Sequence, residues 1–156
     1  MMNYIPLFNF IKSYNRRNHK WLQVEVIQVK EVKLYVEGHC NSMNEQKLGY
    51  YIMVLEYKSI RKKFRNDFDK TTANRMIIQG LIDGIKMLKE PCKIDAYMKT
   101  PIGLVKLKKY DDNSPKARKR DLLHKLVDSI IQAGHQVEYH IDVHGEKITP
   151  VIKRMV

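Results

Sequence analysis

The chain has 156 residues, 44% of them apolar, and this length suits a single domain that buries about two-thirds of the surface of its unfolded chain. Cys40 and Cys92 lie far apart and form no CxxC motif, which favours two buried thiols in the reducing cytoplasm over a disulfide framework or a zinc site. The 29 Lys and Arg residues exceed the 17 Asp and Glu residues, and the formal net charge of +12 favours a polyanion such as nucleic acid as the partner.

The first segment is predicted to be an N-terminal arm with one extra strand over residues 1–30, followed by the main domain over residues 31–156. Ile5, Phe8 and Ile11 have helical spacing and could pack on the domain. The basic run RRNHK that follows could grip phosphates, or it could belong to a partly packed, mobile tail. No apolar run approaches the roughly 18 residues of a membrane span, so no membrane partner is expected.

Three consecutive antiparallel strands are predicted next. After a break near Lys30 and Glu31, residues 32–37 alternate between apolar and polar side chains, as expected of a half-buried strand. A polar loop that begins at Gly38 leads to GYYIMVLEY, and a tight turn at Lys58 and Ser59 leads to SIRKKFRNDF. Connections this short favour antiparallel neighbours.

The strongest helix signals lie in residues 71–91. Thr71 or Thr72 can cap the helix, an apolar residue recurs at every third or fourth position, and Pro91 ends the pattern. Gly80 and Gly84 lie four residues apart, which lowers helix propensity and indicates a close approach to the sheet.

The remaining elements complete an α/β order. The alternating run CKIDAYM predicts a strand after a crossover helix, which should run parallel to an earlier strand. There follow a short helix at residues 100–109, a basic loop, a helix at residues 120–133, a strand at residues 136–143 and a final helix capped by Thr149. This order predicts a five-stranded mixed sheet with helices on both faces.

Four segments, in matching order and spacing, resemble motifs of the bacterial-type ribonuclease H family. VEGHC at residues 36–40 is similar to TDGS, and TTANRMII at residues 71–78 is similar to TTNNRMEL. The LKE-x-C run that ends at Cys92 and YMKT at residues 97–100, similar to STDS, follow in turn. The resemblance covers roughly residues 31–145 and implies a ribonuclease H-like fold.

The resemblance also implies where the chemistry of the family would lie. The family cuts the RNA strand of an RNA/DNA hybrid with two divalent ions held by four acidic residues. The first three of these acids fall on Glu37, Ile77 and Lys99, and the fourth would lie in the final helix, which has no acid. A family histidine falls within a residue or so of His144. These vestigial positions predict a degenerate member with no catalytic residue, no metal and no other cofactor.

Strand alternation supports this prediction without the resemblance. Tyr35 and Glu37 share one face of their strand, and Tyr97 and Lys99 share one face of theirs. If the two strands are parallel neighbours, Glu37 and Lys99 end side by side and form an ion pair. An ammonium about 4 Å from a divalent ion opposes its binding by about 8 kcal/mol at an effective dielectric constant of 20, so Mg²⁺ or Mn²⁺ is not expected there.

Nucleic-acid contacts are predicted at two places. The resemblance assigns backbone contacts to Gly38, Thr72, Asn74 and Arg75, helped by the helix N-terminus; the alternative is that these residues serve only as a cap and a turn. The basic loop lies where the family often has a protrusion that holds the DNA strand, although a solvated loop would look the same. Its candidate residues are Lys106, Lys108, Lys109, Lys116, Arg118, Lys119 and Arg120.

The preferred function is therefore a catalytically inactive protein that binds an RNA/DNA hybrid or structured RNA through a basic surface, as an accessory factor. One alternative is a module for a protein partner or for homo-oligomerisation. Another is a divergent metal-dependent nuclease built on Glu37 with Asp142 or His144. His140, Asp142 and His144 also alternate and could bind a transition metal, although polar residues on an edge strand explain them more simply.

Overall fold

The computed structural model describes residues 8–27, 29–41, 47–103 and 117–154. The elements within these residues are β1 (Phe8–Asn15), β2 (Lys20–Ile27), β3 (Lys30–Cys40), β4 (Gly49–Tyr57), β5 (Ile60–Phe68), α1 (Ala73–Lys86), β6 (Cys92–Met98), α2 (Ala117–Ala133), β7 (Gln136–Ile141) and α3 (Ile148–Arg154). They divide into two compact units, Met1–Lys30 and Glu31–Val156. No helix in this described part of the chain is long and apolar enough to cross a membrane.

The first unit contains an antiparallel hairpin. β1 and β2 pair over their whole lengths, from Phe8 opposite Ile27 to Asn15 opposite Lys20, and residues 16–19 form the turn. The helical spacing predicted around Phe8 was wrong, because this segment is a strand. A short isolated helix is marginal in water, whereas pairing with β2 satisfies the backbone of β1.

The second unit contains a five-stranded sheet in the order β5-β4-β3-β6-β7. β3 and β5 both pair with β4 in antiparallel fashion, while β6 and β7 are parallel. Tyr35 stacks on Tyr97, and Glu37 accepts a hydrogen bond from Lys99. The two partners are 62 residues apart in sequence in both pairs. Because this separation stays constant along the strands, β3 and β6 run parallel. The predicted mixed sheet is confirmed.

Two apolar layers cover the faces of this sheet. The main core lies between one face and helices α1 and α2, and its fully buried side chains include Leu34, Met53, Ile78, Leu81, Ile94 and Leu126. On the opposite face α3 packs in a smaller cluster that contains Tyr35, Val54, Tyr97, Ile148, Val151 and Ile152. Helices therefore cover both faces, as predicted.

Helix α1 begins and packs as the sequence indicates. The Thr72 hydroxyl accepts the N–H of Arg75 at 3.2 Å and caps the helix. A Cβ added at Gly80 would lie 2.7 Å from Cγ1 of Val36, and one added at Gly84 would lie 2.8 Å from Cδ1 of Leu34. The two glycines thus allow α1 to approach β3 closely.

Several predicted boundaries were wrong. α1 ends at Lys86 and not at Pro91. β3 extends to Cys40, because Gly38 and Cys40 continue the ladder opposite Tyr51 and Gly49. The short helix does not begin at residue 100: Ile102 and Gly103 have φ values of 47° and 79°, in the left-handed region that ends a helix, and the rest of that prediction lies outside the described residues. α2 begins at Ala117, so the end of the predicted basic loop is helical.

Candidate functional site

The ends of β3 and β6 place Glu37 beside Lys99. Nζ of Lys99 donates to Oε1 of Glu37 at 2.8 Å, so the predicted pair is present. The Glu37 side chain is only 13% exposed. Burial disfavours its charged form, but the hydrogen bonds from Lys99 and from His39 outweigh burial and lower the pKa of Glu37. The carboxylate is thus ionised and held by a cation.

The turn before α3 helps to position the lysine. A Cβ added at Gly145 would lie 2.8 Å from Cε of Lys99 and 2.6 Å from Oγ1 of Thr149. Gly145 also has φ +68°, a conformation that favours glycine. The Lys99 stem therefore packs against this turn while its ammonium reaches Glu37.

The position that the resemblance assigns to a second acid is part of the core. Ile77 is 4% exposed and belongs to the main apolar cluster. Gly38 lies directly against it, since a Cβ added at Gly38 would be 2.8 Å from Cγ1 of Ile77 and 2.3 Å from the carbonyl oxygen of Ala73. The first turn of α1 therefore rests on the backbone of β3.

This set of donors does not fit a pair of divalent ions. Such ions take several oxygen ligands in tight geometry. Glu37 offers one carboxylate, and the ammonium 2.8 Å away offsets its charge. Ile77 has no ligand atom.

The backbone-contact candidates lie at this same end of the sheet. Gly38 touches the first turn of α1, where Thr72 caps the helix through the N–H of Arg75. Oδ1 of Asn74 accepts a hydrogen bond from the hydroxyl of Thr100 at 3.1 Å, and Thr100 follows Lys99 directly. The structure therefore brings these candidates together around the Glu37–Lys99 pair.

The candidates in the basic segment are placed only in part. Lys106, Lys108, Lys109 and Lys116 lie outside the described residues. Arg118, Lys119 and Arg120 lie in the first turn of α2, which begins at Ala117.

Known proteins are similar to part of this chain. No protein-family model matches the chain. It is 41% identical over 66 residues to a ribonuclease H of Sulfurovum sp., covering 42% of this chain and 44% of that relative. It is 39% identical over 69 residues to a ribonuclease H of Caldicellulosiruptor saccharolyticus, covering 44% of this chain and 46% of that relative. The chain thus aligns with less than half the length of these curated relatives.

Two solved structures match the sheet and helices. One is a type 1 ribonuclease H with the type 2 active-site motif, with a TM-score of 0.61, 12% identity, and coverage of 83% of this chain and 72% of that chain. The other is the N-terminal ribonuclease H domain of a Mycobacterium tuberculosis protein, with a TM-score of 0.58, 12% identity, and coverage of 80% and 92%. The fold is that of ribonuclease H. The predicted resemblance is confirmed.

In this ribonuclease H-like sheet, β7 is two residues shorter than the predicted strand at residues 136–143. This strand stops at Ile141, and the carboxylate of Asp142 accepts the N–H groups of Glu146, Lys147 and Ile148 at 3.0, 2.9 and 2.9 Å. Burial disfavours the charged form of Asp142, but these three donors outweigh it and lower the pKa. Asp142, rather than Thr149, therefore caps α3.

The predicted transition-metal site of His140, Asp142 and His144 is affected by this capping role of Asp142. The Asp142 carboxylate accepts backbone N–H groups at the turn that leads into α3, and Nε2 of His140 lies 2.9 Å from Oδ1 of Asp95. Within the described ranges, the group of three potential metal ligands is Asp95, Glu138 and His140, whose ligand atoms lie within 4.8 Å of one another. Within the described residues, His140, Asp142 and His144 are therefore not assembled as a group of ligands.

Capping by Asp142 gives a prediction for the stability of this ribonuclease H-like fold. Asp142→Ala should lower the free energy of unfolding at pH 7 by about 1 kcal/mol, measured by urea denaturation. Because the folded pKa of Asp142 is lowered from 3.8, the difference is present above that pH and shrinks as pH falls below it. Asp142→Asn keeps an acceptor and should lose less; equal losses in both variants would contradict the capping role.

Three side chains form a stacked row on the face of the ribonuclease H-like sheet that carries Glu37. Sequence reasoning missed this row. The Tyr50 ring lies between His39, with ring centroids 4.8 Å apart, and Arg65, whose Cζ is 3.9 Å from the Tyr50 centroid. Nε2 of His39 lies 3.5 Å from Oε2 of Glu37, so this row, Arg65–Tyr50–His39, reaches the Glu37–Lys99 pair. Alternation predicts which residues of one strand share a face, but which residues of neighbouring strands meet in the row depends on the register of β3, β4 and β5.

Proposed function

We propose that this ribonuclease H-like protein binds nucleic acid, either an RNA/DNA hybrid or a structured RNA, without cleaving it by a two-metal reaction. The observation that carries the proposal is the 2.8 Å contact between Nζ of Lys99 and Oε1 of Glu37. The curated relatives are named ribonuclease H, and this chain departs from the metal-binding pattern of that family at Ile77 and Lys99. It would act as an accessory factor rather than as an enzyme.

Replacing an acid with Lys99 changes what the site attracts. A cluster of carboxylates repels phosphates until metal ions neutralise it. Here the ammonium of Lys99 balances Glu37 directly, and Lys147 adds a second cation on the same face, with Nζ 5.4 Å from the Tyr97 ring centroid. With a net charge of +12 over the chain, the surface can attract a phosphate backbone without an ion.

The groups around the pair suit the sugar-phosphate backbone. Asn74 and Thr100 offer an amide and a hydroxyl beside Lys99, and Thr72 is exposed at the start of α1. Hydroxyls, amides and helix N-termini commonly contact phosphates and sugars, which position a protein on nucleic acid without reading its sequence. Binding of this kind weakens steeply as salt rises.

A panel of substrates tests both parts of this proposal. Fluorescence anisotropy with an RNA/DNA hybrid, duplex RNA, duplex DNA and single strands, at 50 and 200 mM salt, should show binding that falls by about tenfold or more at the higher salt. Gel analysis of the same hybrid with Mg²⁺ or Mn²⁺ should show no cleavage, with an active ribonuclease H as the positive control.

Two outcomes would overturn the proposal. Negligible binding to all four forms at low salt would remove nucleic acid as the ligand. Metal-dependent hybrid cleavage that is abolished by Glu37→Gln would show that the protein is an enzyme.

A further inference from the structure

An open groove lies at the end of the sheet, beside the stacked row. It has a volume of about 610 Å³. The side chains that line it include His39, Leu48, Tyr50, Arg65, Asp67 and Phe68. The register of the strands explains this grouping, since Tyr50 lies opposite both His39 in β3 and Asp67 in β5. The groove thus lies wholly on the second unit, across three adjacent strands.

The groove combines a flat cationic surface with apolar walls. Both faces of the Tyr50 ring are in use, because His39 covers one and Arg65 the other. The Arg65 side chain is 55% exposed, so its guanidinium plane extends the stack toward solvent. Leu48 is 45% exposed and contributes apolar surface. A guanidinium plane of this kind can stack on a planar aromatic ligand.

The charges in the groove favour a neutral ring over a phosphate. The Asp67 carboxylate lies 3.2 Å from Nη2 of Arg65 and is 69% exposed. It offsets the charge of Arg65 and would repel a phosphate placed in the groove. A carboxylate can instead accept hydrogen bonds from the amino or imino groups of a nucleobase.

We propose that the groove binds an unpaired base of a single-stranded segment, stacked on Arg65 at the end of the stacked row. This inference rests on the proposed nucleic-acid binding and names the form of nucleic acid that the site takes. Bases in a duplex are already stacked and cannot enter, whereas unpaired bases can lie against aromatic or guanidinium planes. The contact from His39 to Glu37 links the groove to Lys99, so the adjoining backbone can lie along the cationic end of the sheet.

The test compares single strands that differ only in their bases. Anisotropy at 50 mM salt is measured with a ten-nucleotide DNA and with an abasic strand of the same length and phosphate count. The base-bearing strand should bind the full-length protein about tenfold more tightly. Arg65→Lys keeps the charge but removes the plane, so it should abolish this preference and leave the affinity for the abasic strand unchanged.

Arg61→Lys is the matched control, because Arg61 lies on the same strand and pairs with Glu56 outside the groove. It should leave both affinities unchanged. Equal binding of the two strands by the natural protein would overturn this inference while leaving backbone binding intact. No binding of either strand would also overturn this inference, whereas the proposed function fails only if the hybrid and the duplexes do not bind either. Effective competition by a nucleoside monophosphate at the concentration of the strand would indicate a free-nucleotide site and overturn the assignment to single strands.

Discussion

Mn²⁺ is expected to raise the Tm of the double variant Ile77→Glu/Lys99→Asp by about 5–10 °C and to leave that of the natural protein unchanged. The substitutions restore carboxylates at position 77 in α1 and at position 99 at the end of β6, the two positions that the resemblance assigns to the second and third metal-binding acids. Without metal these like charges repel and lower stability. An ion at a hundredfold excess over its Kd adds about 2.7 kcal/mol, and a chain of this length gains about 2–4 °C per kcal/mol. Differential scanning calorimetry with and without Mn²⁺ measures the shift.

Two further variants make this result specific to the site. Ile77→Gln/Lys99→Asn has similar shapes but no added charge, so Mn²⁺ should not stabilise it comparably. Lys99→Asp alone leaves the core intact and should show a smaller shift, which covers the case in which the double variant folds poorly. A Mn²⁺ shift in the natural protein that Glu37→Gln removes would contradict the proposal that Lys99 prevents ion binding.

Gly38→Ala is expected to reduce the free energy of unfolding by about 3 kcal/mol or more, which corresponds to a fall in Tm of about 6–12 °C. The added Cβ would meet the carbonyl oxygen of Ala73 at 2.3 Å and the backbone N of Ile77 at 2.9 Å. Backbone atoms in the first turn of α1 cannot rotate away as a side chain can, so the helix must move off the strand. Thermal and urea unfolding measure the loss.

Gly84→Ala is the matched control for this prediction. Its Cβ would also come within 2.8 Å of an atom, but that atom is Cδ1 at the end of the Leu34 side chain. The substitution also gains about 1 kcal/mol of helix propensity. Gly84→Ala should therefore cost much less than Gly38→Ala, and the reverse order would show that α1 is not held by its backbone contact with β3.

The sequence predicts those parts of the fold that depend on local patterns. Alternation in β3 and β6 gives the face shared by Glu37 and Lys99, and their ion pair follows once the strands are taken as parallel neighbours. The start of α1 at Thr72 and the close approach at Gly80 and Gly84 are equally local, since a cap and a missing Cβ have physical effects that do not depend on distant residues.

Features that depend on register or on competing partners were not predictable. The stacked row requires knowing that Tyr50 lies opposite His39 and Asp67. The Asp142 N–H still bonds the carbonyl oxygen of Met98 in β6, but its carboxylate accepts three N–H groups at the turn that leads into α3. Alternation cannot reveal those contacts. The strand at Phe8 depends on pairing with β2, and the spacing of apolar residues within one segment says nothing about such a partner.

The Lys99 ammonium at the end of β6 makes the charge there independent of the supply of divalent ions. A divalent ion occupies its site only as often as its free concentration allows, whereas a cation on a covalent stem is present in every copy of the folded chain. A chelator cannot strip it, and starvation for metal cannot empty the position beside Glu37. The charge at this end of the sheet is therefore set when the chain is synthesised and not by the ionic composition around it.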